Sequence, residues 1–210
     1  MRERPILFTG PMVRAILAGN KTQTRRIAKE FAGRDGLDAI LRRFPNQSGC
    51  PYGQPGDRLW VRESTHRRPM IHLMTGEPLD QTYDGGAYTA DGADVLTPEG
   101  FDLAWWYSRK SCPSIHMPRW ACRLVLEITG VRVERLNDIS EEDARAEGCP
   151  FTWDGNQYEP PPPEVDSWQG YGRASFSLLW SQINGPESWN SNPWVWVVEF
   201  RRADTDKKEM

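Results

Sequence analysis

Residues 121–136 alternate. Cys122, Leu124, Leu126 and Ile128 take turns with Arg123, Val125, Glu127 and Thr129. A period of two sends the two sets to opposite faces of a strand. This is the strongest strand signal in the chain. Its apolar face must be covered by a second layer, so it limits the folds available. Gly130 interrupts the run before Val131 and Val133, which predicts a bulge or kink there. Three further strands are expected. Pro5-Ile6-Leu7-Phe8 reads as a short buried one. Leu59 and Val61 alternate with Arg58, Trp60 and Arg62 after a turn-rich stretch at 50–57. The run 194–201, from Trp194 through Val198 to Arg201, closes the fold.

Helices fall between these strands. Pro11 starts one that carries Met12, Val13, Ile16 and Leu17 on one face and stops at Gly19. Leu37, Ile40, Leu41 and Phe44 predict a second over 35–43. Ser140 resembles an N-cap, with Asp143 at the third helical position, and Gly148 ends that helix. Glu147 therefore lies at a helix C-terminus, where the dipole disfavours a negative charge; its carboxylate is either solvated or held by a cation such as Lys21. Phe176, Leu179, Trp180 and Ile183 mark another amphipathic helix, ending near Asn184-Gly185.

Short strands with interspersed helices imply an α+β domain, built as a small curved sheet or barrel flanked by helices. Residues 64–118 show little periodicity and are rich in Gly, Asp, Pro and Thr. They read as a large loop-rich insertion in a single domain spanning 1–210. The Trp105-Trp106-Tyr107 cluster makes a folded lid the expectation there. Pro160 to Pro163 marks a second long loop, and 203–210 reads as a flexible tail. The length permits a core without disulfide staples.

The net charge of −3 excludes a basic nucleic-acid coat. Charge is nevertheless uneven. Residues 1–43 hold ten Lys and Arg against four Asp and Glu, whereas 69–108 hold seven Asp and Glu and no Lys or Arg. A local positive patch that attracts an anion is the consequence. No run of about 18 apolar residues is present, so no membrane span is expected. The N-terminal residues lack the apolar core of a signal peptide, which points to a cytoplasmic protein with reduced thiols. Cys50, Cys112, His116 and Cys149 do not have the spacing of a compact zinc motif, and no metal or cofactor is expected. His66, His72 and His116 read as structural. No obligate protein partner is evident.

The stretch Lys21-Thr22-Gln23-Thr24-Arg25-Arg26 concentrates an amine, two hydroxyls and two guanidiniums. Directly after a helix stop, it reads as a turn. An amine three residues from a hydroxyl is one way to build a base and a nucleophile. The same groups also make a phosphate clamp. Taken alone, Thr24 is a turn hydroxyl, and Lys21 and Glu147 are a surface ion pair.

With the strand and helix before it, Lys21-Thr22-x-Thr24-x-Arg26 resembles the start of an ASCH domain, a branch of the PUA-like barrel superfamily. Gly56-Asp57-Arg58-Leu59-Trp60-Val61 resembles that family's G-D-x-hydrophobic strand. The 121–136 strand and the helix ending in Ala146-Glu147-Gly148 resemble its strand, helix and A-E-G element. These blocks cover roughly half the chain in the family's order. The stretches 50–63, 114–120 and 192–201 also resemble uncharacterised phage and prophage proteins. Within the ASCH group the chain is most similar to small bacterial N4-acetylcytidine amidohydrolases. Their functional Lys, Thr and Glu match Lys21, Thr24 and Glu147 here. Many ASCH domains have an acidic residue at the position of Thr24, and threonine there points to the hydrolase branch.

The resemblance implies a PUA-like barrel and a hydrolase acting on a nucleoside, nucleotide or RNA. Thr24 would attack the acyl carbonyl or position water. Lys21 would be the base and Glu147 the proton shuttle. If Lys21 and Glu147 pair closely, the roles change and Glu147 becomes the base. Arg25, Arg26, Arg58 and Trp60 would bind the substrate. Two other readings stay open. One is an RNA- or nucleotide-binding regulator without catalysis, using Arg14, Arg25, Arg26 and Lys29 on phosphates. The other is a ribonuclease.

Overall fold

The computed structural model describes residues 1–33, 36, 42, 49–72, 74–149 and 171–203. In chain order the elements are β1 (Glu3–Leu7), α1 (Gly10–Leu17), β2 (Gln23–Ile27), β3 (Arg58–Arg62), β4 (Thr65–Ile71) and β5 (Pro78–Tyr88). There follow β6 (Asp94–Val95), β7 (Ser111–Cys112), β8 (Val125–Arg135), α2 (Glu141–Ala146), α3 (Tyr171–Asn184) and β9 (Trp194–Arg202). The chain divides into two compact units. The first comprises Met1–Arg2, Ala15–Arg58 and Glu127–Arg202, and the second Glu3–Arg14, Leu59–Leu126 and Ala203–Met210.

The expected strands form, with changes of extent; the one expected as buried at 5–8 runs over Glu3–Leu7 and, as an edge strand, buries Ile6 while Pro5 and Leu7 are exposed. β8 starts at Val125, because Arg119–Ala121 makes a 3-10 turn and Cys122 follows it without strand pairing. Leu59 and Val61 are fully buried while Arg58, Trp60 and Arg62 are half-buried, as alternation requires. β9 is buried at every position from Trp194 to Val198, so it reads as a central strand covered on both faces. Val195 and Val197 reach the core with Leu136, Ala144, Phe176 and Trp180 of the first unit. Each such burial contributes about 1.5–3 kcal/mol. The helix over 171–184 ends at Gly185 with φ +100, but Ile183 is exposed rather than part of the apolar face.

The expected closed barrel does not form. The strand order is β1-β3-β8-β9-β2, with β1 and β2 as edges, so the sheet is open. Both edge strands are five residues long. Pro5 in β1 has no N–H to donate to a further strand, and an edge is where sheets tolerate proline. Gly130 lies inside β8, where close approach also calls for glycine. A Cβ there would sit 2.4 Å from the Glu199 carboxylate.

The segment 64–118 is not all loop. It holds a four-stranded sheet in the order β6-β5-β4-β7. Two glycines of β5 explain how its weakly periodic sequence packs. A Cβ on Gly85 would lie 2.3 Å from Leu103, and one on Gly86 would lie 2.7 Å from the Trp105 ring. Tyr88, Val95, Met117 and Ala121 form the second unit's apolar cluster. The expected helix over 35–43, apart from Gly36 and Arg42, the proline tract 160–163 and residues 204–210 of the tail lie outside the described residues. Among the described residues, no helix is long and apolar enough to cross a membrane.

Candidate functional site

The Lys21–Arg26 stretch is a strand and its lead-in, not an exposed turn. Gly19 takes φ +79, and the Ala15 carbonyl accepts from the N–H groups of Asn20 (2.9 Å) and Lys21 (3.1 Å). The chain then enters β2, which pairs antiparallel with β9 so that Thr24 lies opposite Val198 and Arg25 opposite Val197. Lys21 bridges to Glu147, and the Thr22 N–H donates to the Ala146 carbonyl at 2.8 Å. β2 thus lies directly beside the end of α2.

Alternation then sorts the side chains. Lys21, Gln23 and Arg25 all reach toward α2. Lys21 Nζ donates to Glu147 Oε2 at 2.7 Å and to the Glu147 carbonyl at 2.8 Å. Gln23 Nε2 donates to the Asp143 carbonyl at 2.7 Å. Arg25 Nη1 donates to Glu147 Oε1 at 3.2 Å, and Nη2 to Asp143 Oδ2 at 2.7 Å. Thr24 and Arg26 leave the strand on the opposite face. None of the cluster's hydrogen bonds runs to the Thr24 hydroxyl.

Glu147 is therefore gripped through both carboxylate oxygens. It is 5% exposed and Lys21 is 2% exposed. The local sequence explains the fit. Ser140 Oγ accepts from the Asp143 N–H at 3.1 Å and so caps α2. Gly148 has φ +74, and a Cβ there would stand 2.9 Å from Lys21 Cβ and 3.0 Å from Ala15 Cβ. Glycine after Glu147 is what lets the helix end approach Lys21.

The cluster extends past the sequence-predicted residues. Arg25 Nε and Nη2 also donate to Glu134 Oε1, at 3.0 and 2.5 Å. Arg132 donates from Nε to Glu134 Oε2 at 3.0 Å and from Nη2 to Asp143 Oδ2 at 2.5 Å, and it pairs with Glu199 as well. Glu134, Asp143, Arg132 and Gln23 were not singled out from the sequence. A signal for them exists. Asp143 stands four residues before Glu147 on one helix face, and Arg132 and Glu134 are two apart on one strand face. The guanidinium of Arg25 also lies 5.7 Å from the centre of the Phe176 ring.

The remaining candidates are dispersed. Burial lowers the affinity of Arg26 for its proton, while Tyr52 and Glu147 act the other way. Arg58 is half-buried at the start of β3. In the second unit, Trp60 lies between the guanidiniums of Arg62 (5.3 Å) and Arg119 (5.8 Å). Arg14 donates to the Ala90 carbonyl at 2.6 Å, and Lys29 is exposed. The four cysteines are free thiols; burial, then the charge of Glu147, pushes the Cys149 thiol up to about 12. Among the described residues, no three His, Cys, Asp or Glu side chains gather as a metal site.

Asp143 supplies a pH signature for the cluster. Burial would raise its carboxyl, but the guanidiniums of Arg25 and Arg132 outweigh burial and hold it below the ordinary 3.8. The unfolded chain titrates near 3.8, so this stabilisation is complete above that pH. It is lost as pH falls through the lower, folded value. Stability measured by urea denaturation is expected to drop below about pH 4. In Asp143→Asn that acid-side component is absent, and an unchanged acid limb would contradict the assignment.

Two solved structures resemble the chain. One is the ASCH domain from Lactobacillus crispatus JV V101, 14% identical with a TM-score of 0.36, covering 96% of this chain and 79% of that chain. The other is a protein of Enterococcus faecalis V583 from the DUF984 family, 10% identical with a TM-score of 0.38, covering 97% and 80%. No family model and no curated protein matches the chain. At such low identity, function has to be read from the residues themselves.

Proposed function

We propose that the chain is a nucleoside- or RNA-directed hydrolase of the ASCH type that removes an N4-acyl group from modified cytidine. The observation that supports this reading is the Lys21–Glu147 contact of 2.7 Å, made by residues 126 apart in sequence. The close pair favours Glu147 as the proton carrier and Lys21 as the charge stabiliser. Water adds to the acyl carbonyl carbon, and its proton passes to Glu147. The oxyanion is stabilised by the Lys21 ammonium. The C–N bond then breaks, and the proton moves from Glu147 to the departing exocyclic nitrogen. With water as nucleophile the products are the free carboxylic acid and cytidine.

The test is incubation with N4-acetylcytidine and chromatographic measurement of cytidine. Glu147→Gln keeps the side chain's shape and is expected to reduce turnover about 100-fold or more. Thr24→Val, on the face of β2 away from Glu147, is expected to leave turnover largely unchanged. Turnover by Glu147→Gln equal to wild type rejects the reading.

A second reading, RNA or nucleotide binding without turnover, is favoured by the burial of Lys21 and Glu147, which closes them to a substrate; Arg25, held by three carboxylates, would take no phosphate in it. Salt-dependent RNA binding with no release of cytidine would select it.

A further inference from the structure

The second unit carries a group of aromatic rings and cations that the Lys21–Glu147 cluster does not use. Residues 103–126 include Arg109, Lys110, Arg119 and Arg123 and no Asp or Glu. The chain as a whole has a net charge of −3, so the stretch itself is basic, although in the fold Arg123 is paired with Glu63 and Asp91. The same stretch holds Trp105, Trp106, Tyr107 and Trp120. We propose that this stretch, with Trp60 and Arg62 of β3, forms a stacking surface for single-stranded nucleic acid.

The rings form a connected set. Trp105 and Trp106 have centroids 5.5 Å apart, and Trp106 meets Trp120 edge to face at 5.3 Å. Tyr107 stacks on His116 at 5.4 Å with 21° between the planes. Trp106 Nε1 donates to the His116 carbonyl at 3.2 Å, which ties the two ring pairs together. Trp120 is 41% exposed. An edge-to-face contact covers little of that ring, so a large flat apolar area remains open to a base. Trp105, Trp106 and Tyr107 are each half-buried, held in place yet partly accessible.

Cations stand beside these rings. Arg119 precedes Trp120 and lies 5.8 Å from the Trp60 ring. It is bidentate to Glu3, and both partners are partly exposed, so a phosphate would have to compete with that carboxylate for the guanidinium. Arg109 and Lys110 are exposed, one residue beyond Tyr107. Rings for bases and separate cations for phosphates are what a single strand needs, because its bases are unstacked and available. A duplex keeps its bases stacked inside and offers these rings nothing. A protein partner would not call for the local excess of positive charge.

The test is fluorescence anisotropy with labelled 12-mers of oligouridine RNA, oligothymidine DNA and a mixed-sequence duplex. The wild type is expected to bind a single strand at low salt, and the two single strands show whether the ribose matters. Binding to either supports the proposal. With three phosphate contacts, raising salt from 50 to 200 mM weakens binding about 20-fold. Trp120→Ala is expected to weaken single-strand binding about 5- to 150-fold, and Trp120→Phe to keep most of it. If Trp120→Ala fails to fold, Arg109→Glu with Lys110→Glu carries the test, with a loss of about tenfold or more expected. Glu147→Gln is expected to leave this binding in place, so the surface and the hydrolase reading fail separately. Absence of binding to both single strands at low salt, preference for the duplex, or equal affinity in a folded Trp120→Ala each overturns the proposal.

Discussion

Glu147→Ala is expected to lower the unfolding free energy by about 3–5 kcal/mol, the cost of removing one member of a buried ion pair. The side chains of Lys21 and Glu147 are 1% and 4% exposed. An exposed pair of the same geometry would contribute about 0–1 kcal/mol. Deletion of the carboxylate leaves the Lys21 ammonium buried with the Glu147 carbonyl still accepting from it. Arg25 suffers less, because Glu134 and Asp143 continue to hold it. The effect should therefore be strongly coupled to Lys21. Lys21→Met with Glu147→Leu replaces both charges by apolar groups of similar length and is expected to recover most of the loss. Urea denaturation of the wild type, both single variants and the double variant gives the coupling energy. A loss below about 1 kcal/mol for Glu147→Ala would mean that the pair behaves as a solvated surface contact. Because Glu147→Gln retains hydrogen bonding, comparing it with Glu147→Ala separates the group's chemical role from its structural one.

Local periodicity carried the strands and the caps of this fold, and it left the pairings open. The alternation at 124–128 and the Ser140 cap involve neighbours in sequence, so their signals are complete within a few residues. The run into Glu147-Gly148 was legible for the same reason. Which strands become edges depends on hydrogen bonds between distant segments. Alternation alone does not distinguish an open sheet from a closed barrel. The sheet of β4 to β7 was hidden because Gly85 and Gly86 leave gaps in its apolar pattern, where Leu103 and Trp105 pack instead.

The Lys21–Arg26 stretch shows a subtler loss. Read as a turn, it groups Arg25 with Arg26. Read as a strand, its period of two places Arg25 with Lys21 and Gln23 and sends Thr24 and Arg26 to the other side. The helix stop at Gly19 suggested the turn, and only pairing with β9 identifies the strand. The Lys21–Glu147 contact was anticipated from a helix C-terminal carboxylate in need of a cation. The wider cluster was not, because Arg132, Glu134 and Asp143 look like ordinary solvated charges until β8 and α2 bring them together.

Trp196→Ala is the second large effect, expected at about 3–5 kcal/mol. Trp196 is fully buried in β9, with its ring centroid 5.3 Å from that of Phe31. Its indole Nε1–H donates to the Glu30 carboxylate. Truncation removes the packing of the indole, opens a cavity against Phe31, and takes away a donor that Glu30 uses. The neighbouring carboxylate is near the surface, so it can turn to water, and the cavity dominates the cost. Trp196→Phe refills much of the volume and should restore more than half of the loss while leaving Glu30 without the indole donor. Trp196 lies opposite Arg26 in the β2–β9 register, so its side chain shares the face of Thr24 and Arg26 rather than that of Glu147. The two losses therefore arise on opposite faces of the same strand pair. They should add within about 0.5 kcal/mol when Trp196→Phe is combined with Glu147→Gln. Urea denaturation of the single and combined variants checks both statements. A Trp196→Ala protein within about 1 kcal/mol of wild type would show that the face behind Thr24 is not a packed core.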